Sequence, residues 1–269
     1  MKIHHLNCCT MCPRMVGVDR LVCHCLLIET DDGLVLVDTG LGADDLAQRH
    51  QRLGRVFVSL SRPRFSAEEL ATARIRELGF SPEDVRHIVL THLDLDHAGA
   101  LADFPAAKVH LMGAEHRSAT AGPTRKERVR YLRRQWAHGA NWRTYEPGAG
   151  EPWFGFEAVR ELDGLPPEIL LVPLFGHSYG HCAIAVDRGD KWLLHCGDAY
   201  FFHGEMQTPP TCTLGFRLFQ KTVAFDGLQR VENQRRLRGL VREQSDRVDV
   251  FCAHDEIEFL ALAGGSTNR

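Results

Sequence analysis

The sequence predicts an α/β layered fold, on three observations. Apolar runs of strand length recur along the chain, a helical repeat at 66–79 falls between two of them, and turn residues close the runs. The 269 residues are 44% hydrophobic and 25% charged, enough for a substantial core. With 32 basic and 35 acidic residues the formal net charge is -3, which favours neither a nucleic-acid nor a membrane partner. No repeat of 20–50 residues and no low-complexity linker interrupts the chain, so one domain over residues 1–269 is expected. The start lacks the apolar centre of a signal peptide and no stretch approaches a membrane span, so a cytoplasmic location is expected. The nine cysteines are expected as thiols and not as a disulfide framework.

Residues 3–9 read as an opening strand, followed by a turn through Cys8-Cys9-Thr10-Met11-Cys12-Pro13. Cys9 and Cys12 have CxxC spacing without a second CxxC, and Cys23 and Cys25 share a strand face. Inert packing is the expected role, with zinc or redox chemistry as the alternative. Val22 to Thr30 and Leu34 to Val37 read as a hairpin turned at Asp31-Asp32-Gly33. Residues 41–65 are weakly patterned, a loop or short helix that covers something. Ser66 with Glu69 is a capping box, and Leu70, Ala71, Ile75 and Leu78 have helical spacing. A strand at 86–91, the first turns of a helix at Ala98 to Asp103 and a strand at Ala107 to Leu111 follow.

From Gly113 to about Phe156 the pattern loosens. The basic run Arg125, Lys126, Arg128, Arg130, Arg133 and Arg134 is read as a solvated helix face, with anionic-substrate binding as the alternative. Trp136, Trp142, Tyr145, Trp153 and Phe154 are read as core, or as the wall of an apolar pocket. Strands are then expected at Ile169 to Leu174, Cys182 to Val186, Trp192 to His195 and Val248 to Cys252. A helix carries Phe225, Leu228, Val231, Leu237, Leu240 and Val241.

The functional signal is where the strands end. Asp38, His92, Asp94, Asp96, His97, His177, Asp198 and His254 stand at or just after apolar runs, and strand ends of a layered α/β fold converge on one edge. If 92–97 form a loop entering a helix, His92 and Asp94 reach one metal while Asp96 and His97 turn to another. Asp198 is a carboxylate able to bridge two ions. Read singly, any of these is also an ordinary turn or cap residue; Asp38 in Val37-Asp38-Thr39-Gly40 is the plainest case.

Taken together, Asp38, the run His92-Leu93-Asp94-Leu95-Asp96-His97, Gly176-His177, Gly197-Asp198 and His254 make the chain resemble the metallo-β-lactamase-fold superfamily, whose pattern is HxHxDH followed by a later His, a bridging Asp and a last His. The resemblance covers almost the whole chain. It implies a four-layer αββα sandwich with a two-metal site, His92, Asp94 and His177 on one ion and Asp96, His97 and His254 on the other, and Asp198 between them. It also implies that Asp38 supports the ligand loop. His181 is expected to pack nearby without ligating. The chain departs from the pattern at Asp94, where the family usually has histidine. The added negative charge implies a weaker Lewis acid, so that besides zinc, the expected metal, iron or manganese fits. Flavodiiron proteins are similar in carrying a carboxylate there, a glutamate.

The chemistry so implied is hydrolysis of an ester, lactone or related carbonyl bond of a small molecule by a hydroxide shared between two divalent ions. Asp96 would orient that hydroxide. Tyr200 is either a donor to the oxyanion or a core residue. The order of elements looks most like the N-acyl-homoserine lactonase branch, whose tyrosine falls where this chain has Phe201. A diiron oxidoreductase, for which no flavin domain is present, and a non-catalytic metal-binding module are the alternatives. Substrate identity and oligomeric state are not legible.

Overall fold

The computed structural model describes residues 1–148, 152–159 and 161–265. Among these, strands β1 (Lys2–Met11), β2 (Leu21–Thr30), β3 (Gly33–Val37), β4 (Val85–Val89), β5 (Lys108–Met112) and β6 (Asn141–Tyr145) form one sheet in that order. Its first two pairings are antiparallel and its last three parallel. Strands β7 (Ile169–Pro173), β8 (Cys182–Asp187), β9 (Trp192–His195) and β10 (Val248–Phe251) form a second sheet ordered β10-β9-β8-β7.

The strands are apolar on both sides because both sides are covered. In β3, Leu34 and Leu36 face one core while Val35 and Val37 face another; in β8, Ile184 and Val186 face the second core while Ala183 and Ala185 face a third. This alternation follows from the two-residue period of a strand. The central core joins Leu26, Ile28, Val35, Val37 and Val89 of the first sheet to Ile169, Leu171, Ile184, Leu193 and Phe251 of the second. Helix α4 (Ala71–Glu77), through Ala71 and Ile75, and α6 (Gly113–Ala121), through Ala119, cover the outside of the first sheet. Leu237 and Leu240 of the long helix Gly227–Gln244 cover the second. The result is helix, sheet, sheet, helix, the four-layer arrangement expected.

Several elements differ from expectation. Residues 41–65 fold as three short helices, α1 (Ala43–Ala47), α2 (Arg49–Leu53) and α3 (Arg55–Ser61). Leu46, Leu53, Phe57 and Val58 turn onto a fourth cluster with Phe201 and Phe216. Glu69 does not close its cap; its carboxylate accepts from the Thr10 amide (2.6 Å) and hydroxyl (2.9 Å), joining this segment to β1. The helix expected from Ala98 starts earlier, as α5 (Leu95–Ala98) with Asp94 in extended conformation before it. Four elements had no clear signal: helix α6, edge strand β6, whose residues are all at least partly exposed, and helices α8 (Leu214–Val223) and α10 (Glu256–Gly265). Helix α7 (Arg125–Arg130) carries the first four residues of the basic run, Arg133 and Arg134 follow in a short 3-10 turn, and the helix at Gly227–Gln244 is α9. Among the described residues no helix is long and apolar enough to cross a membrane.

Trp136 and Trp153 are buried in the cores, with Trp142, Tyr145 and Phe154 packed against them, which settles the aromatic segment as core. Cys8, Cys9, Cys23 and Cys25 are buried thiols.

Truncation at the sheet interface tests this layering. Ile184 is wholly buried there, so Ile184→Ala is expected to lower unfolding free energy by about 2–5 kcal/mol in chemical denaturation. A loss below about 1 kcal/mol would be incompatible with a packed inter-sheet core at this position.

Candidate metal centre

The site forms where the two sheets meet at one edge. Main-chain bonds join them there: the amide of Cys182 donates to Thr91 O (3.0 Å) and that of His24 to Ala253 O (2.9 Å), while within the second sheet the Ala253 amide donates to Gly197 O (3.0 Å). These bonds bring the ends of β4, β8, β9 and β10 within side-chain reach of each other.

Two groups of ligand-type atoms result. In the first, Asp94 Oδ2 lies 3.4 Å from His92 Nε2 and 3.2 Å from His177 Nε2, while Asp198 Oδ2 lies 3.4 Å from His177 Nε2 and 3.8 Å from His92 Nε2. In the second, Asp198 Oδ1 lies 3.2 Å from His97 Nε2 and 3.1 Å from His254 Nε2, those two nitrogens are 3.3 Å apart, and Asp96 Oδ2 is 3.6 Å from His254 Nε2. Six of the seven residues expected at the centre fall into these two cages, with the Asp198 oxygens divided between them, while Asp96 reaches the second through His254 and groups with it and Cys23.

These spacings can be tested against an ion. Tetrahedral zinc with bonds of about 2.0–2.1 Å holds its ligand atoms roughly 3.3 Å apart. Both cages have edges of that size. His92 Nε2 and Asp198 Oδ1 are moreover buried without a hydrogen bond, a costly state for polar atoms unless something else satisfies them. The residues fit divalent ions.

One buried carboxylate orients both cages. Asp38 Oδ1 accepts from the Thr91 amide (2.8 Å), and Oδ2 accepts from the Thr91 hydroxyl (2.8 Å) and His97 Nδ1 (2.8 Å). The Thr91 oxygen in turn accepts from His92 Nδ1 (2.9 Å), and Val22 O accepts from His254 Nδ1 (2.8 Å). Each Nδ1 is thereby a donor, which leaves Nε2 of His92, His97 and His254 with a lone pair facing the cage. Asp38 has φ 52°, a left-handed conformation that its short polar side chain tolerates. Burial favours the neutral acid, but His97 outweighs it, through its hydrogen bond and through the charge it carries when no ion takes its Nε2 lone pair, and Asp38 is held below the ordinary carboxylate value. Asp198 is likewise held well below it against burial, by His254 and His97.

His181 packs beside the site without joining a cage. Its Nδ1 donates to Leu174 O (3.0 Å) and its Nε2 accepts the Asp198 amide (2.9 Å), which fixes the backbone that presents Asp198. Gly197 allows this approach: its φ is +49°, and a Cβ there would stand 2.7 Å from His181 Nε2.

Two residues of the site had gone unrecognised in the sequence. Glu115, in α6 and fully buried, accepts from the Leu93 amide, the Tyr131 and Ser178 hydroxyls and the Gly180 amide at 2.6–3.1 Å. It clamps the 91–97 loop to the loop of His177. Its position just after β5 is the same strand-end signal that marked the others. Arg130 corrects the reading of the basic run. Arg125, Lys126, Arg128, Arg133 and Arg134 are exposed as expected, but the Arg130 side chain is only 11% exposed and forks onto Asp94 at 2.5 and 2.6 Å.

Tyr200 takes the second of its two expected readings, a core residue. It is fully buried in the core beneath the second sheet and its hydroxyl donates to Glu258 Oε1 (2.8 Å), so it offers no donor to an oxyanion. Phe201 instead flanks the centre, its ring stacked on His254 at 5.4 Å. Cys23, read as packing, has its Sγ within 4.8 Å of ligand atoms of Asp96 and His254.

Comparison with known proteins agrees with this fold. Residues 18–239 match the family model described as the metallo-beta-lactamase superfamily. The chain is 45% identical over 257 residues to a probable metallo-hydrolase of Mycobacterium tuberculosis, covering 95% of this chain and 80% of that protein. It is 26% identical over 170 residues to an N-acyl homoserine lactonase of Bacillus cereus, covering 63% of this chain and 60% of the lactonase. Among solved structures, the AiiA protein of B. thuringiensis with N-decanoyl-L-homoserine bound superposes with a TM-score of 0.71 at 21% identity, over 97% of this chain and 95% of that one. A probable metal-dependent hydrolase of Staphylococcus aureus gives 0.70 at 18% identity, over 95% and 89%.

Two changes test the local physics. Asp38→Asn replaces an acceptor shared by Thr91 and His97 with a donor, and is expected to weaken metal retention about 10–100-fold in chelator competition; retention equal to wild type would show that Asp38 does not orient the histidines. Glu258 is pushed by burial from 4.5 up to about 7. Between those values the folded chain holds a proton that the unfolded chain has released, so stability should fall as pH rises through that window, by at most a few kcal/mol. Glu258→Gln should flatten that slope in denaturation curves measured from pH 4.5 to 7, and an unchanged slope would assign it to other groups.

Proposed function

The chain belongs to the metallo-beta-lactamase superfamily, and on that premise we propose that it is a hydrolase with a centre for two divalent ions, opening a carbonyl ester, lactone or related bond of a small molecule. The observation that carries this reading is the sharing of Asp198: each of its carboxylate oxygens faces a different pair of histidine Nε2 atoms. A single structural ion would need only one such cage.

His92, Asp94, His177 and Asp198 would hold one ion, and His97, His254, Asp96 and Asp198 the other. Ions held there would lower the pKa of a water towards neutrality and polarise the substrate carbonyl. The chain supplies the rest. Asp38, Thr91 and Val22 O keep the histidines in the ligating tautomer. Asp96, 13% exposed and 3.6 Å from His254, is the carboxylate positioned to orient the attacking water and take its proton. Phe201 shields the His254 side of the centre from solvent.

Zinc is the proposed metal, since the cages are built of imidazole and carboxylate at tetrahedral spacing. The sequence argument for harder ions rested on an uncompensated charge at Asp94, and Arg130 supplies the compensating charge. The lactone class is supported by the similarity to N-acyl homoserine lactonases. Phe201 and the inward-turned Tyr200 mean that oxyanion stabilisation would not come from a tyrosine at those positions.

The test is a panel of lactones, aryl esters, thioesters, β-lactams and phosphodiesters offered to stripped protein and to protein restored with Zn, Mn or Fe. Turnover of a lactone or ester that vanishes on chelation and returns with metal is expected. Asp96→Asn should then lower kcat on the order of 100-fold or more. No turnover with any metal, or iron-dependent absorption with redox activity instead, would overturn the hydrolase reading.

A further inference from the structure

The guanidinium of Arg130 stands against the first cage with all of its hydrogen-bond capacity committed. Nε donates to Asp94 Oδ1 (2.5 Å), Nη2 to Asp94 Oδ2 (2.6 Å) and to His177 Nε2 (2.5 Å), and Nη1 to the carbonyls of His177 and Val223 (3.0 Å each). A guanidinium has five N–H groups, and all five are used, so none is left for a substrate. Its carbon lies 4.8 Å above the Phe225 ring. The next residue, Tyr131, is tied to Glu115 (2.9 Å), which fixes the end of α7 beside the cage.

Two of these contacts fall on atoms the first cage would give to an ion. Asp94 Oδ2 and the His177 Nε2 lone pair cannot be directed at both the guanidinium and a metal at full strength. A fixed positive charge also repels a divalent ion placed beside it. The second cage carries no such partner: no arginine or lysine contact is found on His97, Asp96 or His254 among the described residues. Asp94 and Arg130 are matched, since a histidine at position 94 would present no two-oxygen face to the guanidinium fork.

Resting on the reading that both cages hold metal, we infer that Arg130 is a built-in cation of the first cage and makes the centre unequal. The His97, Asp198 and His254 cage retains its ion. The His92, Asp94, His177 and Asp198 cage takes its ion by drawing Asp94 Oδ2 and His177 Nε2 away from the guanidinium, and releases it readily.

The sign of the effect separates this inference from a purely orienting role. An outer partner that only positions ligands weakens metal binding about 10–100-fold when removed; a competing cation strengthens it. Stripped wild type, Arg130→Met and Arg130→Lys are titrated with Zn²⁺ and with Co²⁺, reading ions retained after dialysis by mass spectrometry and the Co²⁺ absorption spectrum. Wild type should bind in two steps and keep one ion. R130M should keep two, its weaker step tightened on the order of tenfold, and R130K, which keeps the charge, should resemble wild type. Weaker or unchanged binding in R130M, or two equal steps in wild type, overturns the inference while leaving the hydrolase reading intact. No binding by wild type would overturn both. Should R130M fail to fold, D94H/R130M removes the pair together; it should keep two ions, and a persistently weak second ion overturns the inference.

Discussion

The structure depends on one buried carboxylate. Asp38 leaves β3 in a left-handed turn and places both oxygens against Thr91 and His97. Because its partners flank the 92–97 run, a single side chain fixes the direction of histidines in both cages. The cost is real: a charge is taken out of water and a non-glycine residue is held at positive φ. The surrounding fold offsets it by satisfying every oxygen of Asp38 and by parallel pairing of β3 with β4.

The same logic repeats on the opposite side. Glu115 gathers donors from the 91–97 loop, from Tyr131 and from the His177 loop, so a second buried carboxylate holds the two sheets in register around the site. Of the buried side-chain polar atoms left without hydrogen bonds among the described residues, two, His92 Nε2 and Asp198 Oδ1, lie inside the cages. Unpaired polar atoms at the meeting point of imidazoles and carboxylates make this a candidate place for cations.

Much of this was legible in the sequence for a physical reason. Strand ends are marked by apolar runs that stop, and ligands that must converge are placed there; hence Asp38, His92, His177, Asp198 and His254 could be read together. Glu115 follows the same rule and was readable in principle. Arg130 was not, because five neighbouring cations in the same run are solvated and nothing local separates it from them. What marks it is long-range: the carboxylate at position 94, which departs from the family pattern, has a cation 36 residues further along as its partner. Tyr200 was left between two readings for a related reason. Proximity to Asp198 in sequence says nothing of which face a side chain takes, and this one turns to Glu258 in the core. Edge strand β6 and helix α8 were missed because each is half exposed, with a pattern set by tertiary packing more than by its own period.

Asp94 and Arg130 together recast the departure from the family pattern. Read alone, the aspartate adds negative charge to the centre; read with its partner, it is a neutral pair that keeps the charge while changing its location. The central claim is that both cages are metal sites sharing Asp198. Anomalous diffraction at the metal edge from crystals grown with zinc tests it most directly. The account predicts scattering on both sides of Asp198, one peak against His97 and His254 Nε2 and a second, of lower occupancy, against His92 and His177 Nε2. Zinc located elsewhere, as among the buried thiols of β1 and β2, with no peak touching Asp198, would contradict it.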